Sequence, residues 1–400
     1  MTKKRILITG GSHSELPLIE AAQGMGWHVI TTGIDTGGIG HAKADEYVKG
    51  DFSDKEFVLQ LAKEKHVDAI VSGCNDFAYL STAYACEQLG MPGHDNYEVS
   101  KLIHMKHNFR SLSKKLKLPT PEIYQCYNQE DVKKGIRFIG FPLLVKPVDL
   151  TGGKGVKVCH NEMETMEAYE NAMAQTRQPY VILEQYVEGS NHGISVLLKN
   201  KKVVCHVVDN EQYGHNKYLV LGASSPSDIP QHAIFALIRD IEALASYLNL
   251  TDGLFHTQFI VNEEQLPVMI DPCRRSPGDL YVLLAKYVTG VDYPLEIVKA
   301  ECGMPLADSY SSECHFVARE CIMTDRCGKI ERIEIAEEIR KYLIYSIMLS
   351  KKGTCITQPM KQKAGILIME FENYMQMHDI LRRYHELVWL ELAKEDNCCE

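Results

Sequence analysis

The stretch Leu143–Val156, LLVKPVDLTGGKGV, decides how the rest of the chain is read. An apolar strand ends in Lys146-Pro147, and a glycine-rich turn follows at Gly152, Gly153 and Gly155, with Lys154 inside it. Glycines let a backbone approach phosphate oxygens and aim successive N–H groups at them, while a nearby lysine adds fixed positive charge. The segment reads as a clamp for a triphosphate. It is not a Walker loop, because GxxxxGK[ST] occurs nowhere and Val156–Cys159 alternates as a second strand instead of opening a helix. On local grounds alone a plain hairpin turn is the better reading of TGGKGV, so the features around it decide.

The chain has 400 residues, 45% of them apolar, enough for two or three domains with ample cores. A formal charge of −10 gives no footprint for nucleic acid, and the basic run Lys114, Lys115, Lys117 is short enough to be a solvated helix face. A phosphate-bearing substrate must therefore be met locally. Thirteen cysteines are scattered without a CxxC pair, as expected of reduced thiols in the cytosol. Lys3, Lys4 and Arg5 precede an apolar run far too short for a signal peptide, and no run approaches the roughly 18 residues of a membrane helix. The expectation is a cytoplasmic protein with no nucleic-acid or membrane partner.

Residues 5–95 alternate short apolar strands with helical patterns, which argues a parallel sheet flanked by helices. Ligands are then expected at the carboxyl ends of the strands, near Gly10-Gly11, Asp35 and Asn75-Asp76. GGSHSE lacks the GxGxxG spacing of a dinucleotide site. A helical pattern over Ser100–Leu118 carries Lys106 and ends at Pro119. These signals divide the chain into an α/β unit over 1–100, a central unit over 101–305 whose smaller lobe covers about 122–190, and an α+β module over 306–400.

In that order the features resemble the ATP-grasp superfamily, specifically its carboxylate–amine ligases, which include amino-acid ligases and relatives of carbamoyl-phosphate synthetase. The resemblance covers nearly the whole chain. It implies an ATP-grasp fold of mixed α/β and α+β class, with a parallel-sheet amino-terminal domain and a small carboxyl-terminal one. It implies that Lys106 and Lys146 reach nucleotide phosphates and that Gly152, Gly153, Lys154 and Gly155 close over them. Local physics agrees for Lys146, since a lysine ending an apolar strand is costly to bury unless an anion meets it. The resemblance further implies that the hinge Glu184, Gln185, Tyr186 and Val187 meets the adenine, with Val145, Leu183 and Val187 as apolar walls. Asn191, with His192 beside it, stands where many relatives carry a ribose-binding glutamate.

For the metal, the family's H-x-E and E-x-N strands correspond to His256-Thr257-Gln258 and Asp271-Pro272-Cys273, so Gln258, Asp271 and Cys273 are the implied ligands of Mg²⁺, or of Mn²⁺ in its place. Cys273 is the departure, because a thiol is a soft ligand poorly suited to Mg²⁺. Arg275, in Arg275–Asp279, is implied to face the transferring phosphate and the carboxylate it activates, a role that suits a planar, permanently charged fork. Arg274 then points to the opposite strand face, as a surface ion pair. Gly11, Asn75, Gly278 and Arg275, with His192, His215 and Lys217, are the candidates for the substrate pocket.

The implied reaction is ATP-dependent ligation: a substrate carboxylate becomes an acyl phosphate with release of ADP, and an amine then displaces the phosphate. The partners are small-molecule carboxylate and amine substrates. His256 is a weak candidate for a base, and none is required if the amine enters neutral. Two other readings stay open on the sequence, a bicarbonate-using enzyme of carboxylase or carbamoyl-phosphate type and a non-catalytic ATP-binding protein with a degenerate metal site. Superfamily members often pair as dimers, which the sequence leaves undecided.

Overall fold

The computed structural model describes residues 3–148, 155–214, 219–311, 313–359 and 361–393. The amino-terminal strands β1 (Arg5–Thr9), β2 (His28–Gly33), β3 (Glu46–Lys49) and β4 (Ala69–Ser72) form a parallel sheet in the order β3-β2-β1-β4. Ile6, Leu7, Ile8, Ile30, Ile70 and Val71 are fully buried, as strands covered by helices on both faces require. After β4, Asn75 caps the helix Asp76–Leu89 by accepting the Phe77 N–H, which sets Asp76 in the first turn at the mouth of the sheet.

The helix expected over Ser100–Leu118 is two, Tyr97–His104 and Lys106–Leu116, because the backbone at Met105 is extended (φ −98°, ψ 112°). The break starts a new helix at Lys106, whose side chain shares a face with Arg110 one turn on. The next 60 or so residues form an antiparallel sheet in the order β5-β8-β6-β7, made of β5 (Ile123–Cys126), β6 (Leu143–Pro147), β7 (Lys157–Cys159) and β8 (Val181–Gln185). Helices Gln129–Ile139 and Glu162–Gln175 cover one face of it.

The largest sheet has eight strands in the order β13-β12-β9-β10-β11-β14-β18-β16. Its members are β9 (Gly189–Lys199), β10 (Lys202–Tyr213), β11 (Val220–Ser225), β12 (Gly253–Asn262), β13 (Pro267–Cys273) and β14 (Phe316–Ile322), with β16 (Leu343–Met348) and β18 (Gly365–Phe371). Three strands from beyond residue 306 thus extend the central sheet, and only β15 (Gly328–Ile335), β17 (Cys355–Ile356) and β19 (Val388–Leu392) form a smaller sheet of their own. Helices Tyr281–Thr289 and Tyr293–Glu301 pack between the large sheet and the amino-terminal helix Leu16–Gly24. The Glu301 carboxylate accepts bonds from the Ser72 backbone N–H (2.6 Å) and hydroxyl (3.0 Å) and contacts His94 (3.1 Å), pinning the carboxyl edge of the parallel sheet to the centre. No helix among the described residues is long and apolar enough to cross a membrane.

Candidate active site

A cleft of about 590 Å³ opens between the β5–β8 lobe, the helix Lys106–Leu116 and the face of the large sheet. Six basic and six acidic side chains line it among the described residues, so it carries no formal surplus of positive charge. A polyphosphate can be held there only by taking over lysines from their carboxylate partners or by bringing a cation with it.

At one end Lys146 Nζ lies 2.5 Å from Glu184 Oε1, and Arg110 Nη2 lies 3.2 Å from Glu184 Oε2. The anion expected to meet Lys146 is thus supplied by the chain itself. Burial opposes ionisation of Glu184, yet Lys146 and Arg110 outweigh it and hold the carboxyl below its usual range. In this structure the Glu184 side chain is the counter-ion of Lys146, and its backbone lies in a strand paired on both sides. The Gln185 N–H is also committed, to Glu122 O at 2.9 Å. Tyr186 and Val187 lie past the end of β8 and line the cleft, which leaves their backbone to meet a purine edge.

Val145 and Leu183, expected as adenine walls, are fully buried in the core of the lobe. Leu144 and Ile182 line the cleft instead. Side chains alternate along a strand, so the residues that share a face with Lys146 are two positions away, not one. Gly155 has a φ of +71°, suited to glycine, while Gly152, Gly153 and Lys154, like His215 and Lys217, lie outside the described residues.

Gln258 and Asp271 face each other across β12 and β13, as do His256 and Cys273, so the four make a block on the cleft side of the sheet. Lys106 Nζ reaches Asp271 Oδ1 at 2.6 Å. Burial resists charging of Asp271, but Lys106 and Lys146 prevail and hold its carboxyl at about 2. Gln258 Nε2 donates to Glu211 Oε1 (2.7 Å), which orients the amide so that its oxygen is the end left for a cation. Asp271 and Gln258 therefore fit an octahedral Mg²⁺ that keeps waters and phosphate oxygens for its other positions. Cys273 does not fit. Its side chain is buried, burial pushes the thiol up to about 11, and Sγ lies 3.7 Å from the Arg275 carbonyl oxygen. Among the described residues no cluster of three or more His, Cys, Asp or Glu has metal-ligating geometry.

Arg275 continues the same face two residues beyond Cys273. Its Nε donates to Asp76 Oδ1 (3.0 Å), which also takes His104 Nδ1 (3.0 Å), and Nη1 donates to Ser276 O (3.3 Å). Burial alone would suppress the Asp76 charge, but Arg275 and His104 drive its carboxyl far below the usual range. Arg274, expected at the surface, is almost fully buried and paired with Asp95 at 2.8 Å. His256 also lines the cleft, but burial drops it to about 3, and its Nδ1 meets Ser195 Oγ at 2.8 Å, so it is neutral. His192 is turned away: it is buried against Phe259, with Nδ1 3.1 Å from Asp209 O and Nε2 2.6 Å from Ser190 Oγ, whereas Asn191 lines the cleft.

Gly278 lines the cleft with Arg275, but Gly11 and Asn75 line a second pocket of about 320 Å³ at the carboxyl ends of β1, β2 and β4. There the Glu15 carboxylate accepts the N–H (2.8 Å) and hydroxyl (2.7 Å) of Ser12 and the N–H of Cys74 (2.8 Å). The turn amides that a phosphate would need are already taken by this internal anion. At Gly11 a Cβ would fall 2.0 Å from the His41 ring, so that glycine is required by packing.

Sequence reasoning passed over Arg110, Glu211, Asp209, Arg319 and Lys363, all of which line the cleft. Arg110 was within reach, one helical turn from Lys106. The other four come from strands and loops distant in sequence, and nothing local marks them.

The chain is similar to several known proteins. The family profile of the phosphoribosylglycinamide synthetase ATP-grasp (A) domain matches residues 104–215. A formate-dependent phosphoribosylglycinamide formyltransferase of Prochlorococcus marinus is 25% identical over 363 residues, 88% of this chain and 90% of that protein. Among solved structures, an L-amino acid ligase from Bacillus licheniformis superposes with a TM-score of 0.84 at 17% identity, covering 98% of this chain and 99% of that one. A phosphoribosylglycinamide synthetase from Anaerococcus prevotii gives 0.79 at 20% identity, covering 98% and 100%.

Proposed function

We propose that the chain is a cytoplasmic enzyme of the ATP-grasp superfamily, among its carboxylate–amine ligases, using ATP to join a small-molecule carboxylate to an amine. Lys106 and Lys146 exchange their carboxylate partners for phosphate oxygens, and the hinge at Tyr186 and Val187 receives the purine against the wall that Leu144 and Ile182 form on the lobe. Asp271 and Gln258 would hold Mg²⁺, which would supply positive charge to offset that of the triphosphate. The γ-phosphoryl group passes to the substrate carboxylate beside Arg275, giving an acyl phosphate and ADP. An amine then attacks the acyl carbon and phosphate leaves. Phosphoryl transfer depends on alignment and charge neutralisation, so a neutral His256 is no obstacle.

One observation carries this reading. Two lysines, one on a helix and one on a strand of the small lobe, project into a single cleft, each against a buried or half-buried carboxylate, with Arg275 beyond them. The test is ADP release with Mg²⁺ and a panel of carboxylates and amines. Lys146→Ala is expected to lower kcat/KM by about 100-fold or more, the loss typical of a charge that stabilises the transition state. Unchanged turnover in that variant overturns the assignment.

A further inference from the structure

The loop after β13 carries Arg275 into the cleft, and the group that holds its side chain there comes from outside the central sheet. Arg275 Nε donates to Asp76 Oδ1 at 3.0 Å, and Nη1 donates to the Ser276 carbonyl oxygen at 3.3 Å. A guanidinium has five N–H donors in a fixed plane, so one on Nη1 and both on Nη2 are left over among the described residues. Asp76 occupies the Nε side of that plane. An incoming carboxylate is therefore left the far end of the fork, where Nη1 and Nη2 lie side by side.

Asp76 belongs to the amino-terminal domain. It is the first residue of the helix Asp76–Leu89, capped by Asn75, and the helix dipole favours a carboxylate in that first turn. The same Oδ1 takes a bond from His104 Nδ1 at 3.0 Å. The His104 ring is fixed in its turn: Nε2 accepts the Arg274 backbone N–H at 3.1 Å, and Tyr79 stacks on the ring at 4.5 Å with the planes 14° apart. Nδ1 is then the protonated nitrogen, and the bonds close a circuit from Arg275 through Asp76 and His104 back to the residue beside it. An ion pair made for stability saturates its guanidinium, as Asp95, Leu254 and Thr251 saturate Arg274. Asp76 instead restrains Arg275 by one nitrogen and leaves the reacting end free.

Resting on the ligase reading, we propose that Asp76 is a positioning residue of the reaction: it holds Arg275 by Nε, with His104 behind it, so that the substrate carboxylate and the phosphate it takes on meet the guanidinium end-on. The amino-terminal domain thereby acts on the chemistry through Arg275. Without the restraint a long, flexible side chain samples several rotamers, and a misplacement of about 1 Å can cost about 100-fold in rate.

The test measures ADP release with ATP, Mg²⁺ and hydroxylamine as a small amine, over the common amino acids and the short aliphatic acids as carboxylates. It compares the wild type, Asp76→Asn, Arg275→Ala and the double variant. Asp76→Asn keeps the side chain's size and loses its charge, and is expected to lower kcat by about 100-fold with the ATP dissociation constant from calorimetry unchanged. In the Arg275→Ala background the same change is expected to cost less than about 3-fold, because the group through which Asp76 acts is gone. The proposal is overturned if Asp76→Asn turns over at the wild-type rate, or if it loses as much in the Arg275→Ala background as in the wild type. NMR of the wild type gives a second reading that no variant's folding can spoil. The Arg275 Nε–H resonance, identified by its loss in Arg275→Lys, is expected to exchange slowly with solvent, and rapid exchange overturns the proposal. No turnover in a wild type whose Nε–H is protected strikes the ligase reading and leaves the contact standing.

Discussion

Arg274 and Arg275 are neighbours of the same type, and the molecule uses them in opposite ways. Arg274 is buried beneath the sheet, with Nε on Asp95 (2.8 Å), Nη1 on Leu254 O (2.6 Å) and Nη2 on Thr251 O (2.7 Å). Arg275 lies on the cleft face, with Nε on Asp76 and the outer edge of its fork uncommitted to any carboxylate. Strand alternation sends the two apart, and the surroundings then decide that one charge is saturated and the other available. His104 couples them: its Nε2 accepts the Arg274 backbone N–H (3.1 Å), which leaves Nδ1 as the donor to Asp76. A neutral imidazole, favoured by burial, is the form this arrangement needs.

The contrast is open to direct attack. The largest effect is expected from Arg274→Ala, which leaves Asp95 buried without its partner and should cost roughly 3–5 kcal/mol in chemical denaturation. If denaturation shows less than about 1 kcal/mol, Arg274 is not the structural member of the pair. Arg275→Ala should instead lower kcat/KM by about 10²–10³-fold while stability changes little. Arg275→Lys should recover only a small part, since a lysine cannot present two parallel donors. A variant that unfolds as readily as Arg274→Ala would erase the distinction.

The smallest effect concerns the second such pair, Arg319 and Glu320, which alternate across β14 in the same way. Glu320 is buried on the face away from the cleft, and burial pushes its carboxyl up to about 8 against the pull of Arg319. An unfolded glutamate releases its proton near 4.3, so between about pH 4.3 and 8 the folded state binds the extra proton and stability falls as pH rises. Glu320→Gln should remove that slope and gain about 1–3 kcal/mol at pH 8 relative to pH 5. Parallel stability–pH curves for the two proteins would show that Glu320 is already charged in the fold.

Much of this was legible from the residues. The parallel amino-terminal sheet follows from its apolar runs, whereas Lys106, Lys146, Asp271 and Arg275 are singled out by the resemblance to the ATP-grasp superfamily. Parity errors account for the adenine walls: Lys146 on the cleft side implies Leu144 there too, and Val145 inside the lobe. Partnership was not legible. Nothing in VILEQYV says that Glu184 answers Lys146 and Arg110, because those contacts join strands and a helix 38 and 74 residues away.

The sequence by itself determined the alternation of strands and helices, the glycine-rich turn and the order of charged groups, since these depend on local propensity and periodicity. Only the tertiary structure decided which charges are spent on one another and which face open space, because burial and pairing are set by segments far apart in the chain. That is why His192 is turned into the packing while Cys273 stays buried at the cleft wall, and why Arg319, one of many charges in the sequence, has no ion pair among the described residues on the floor of the cleft.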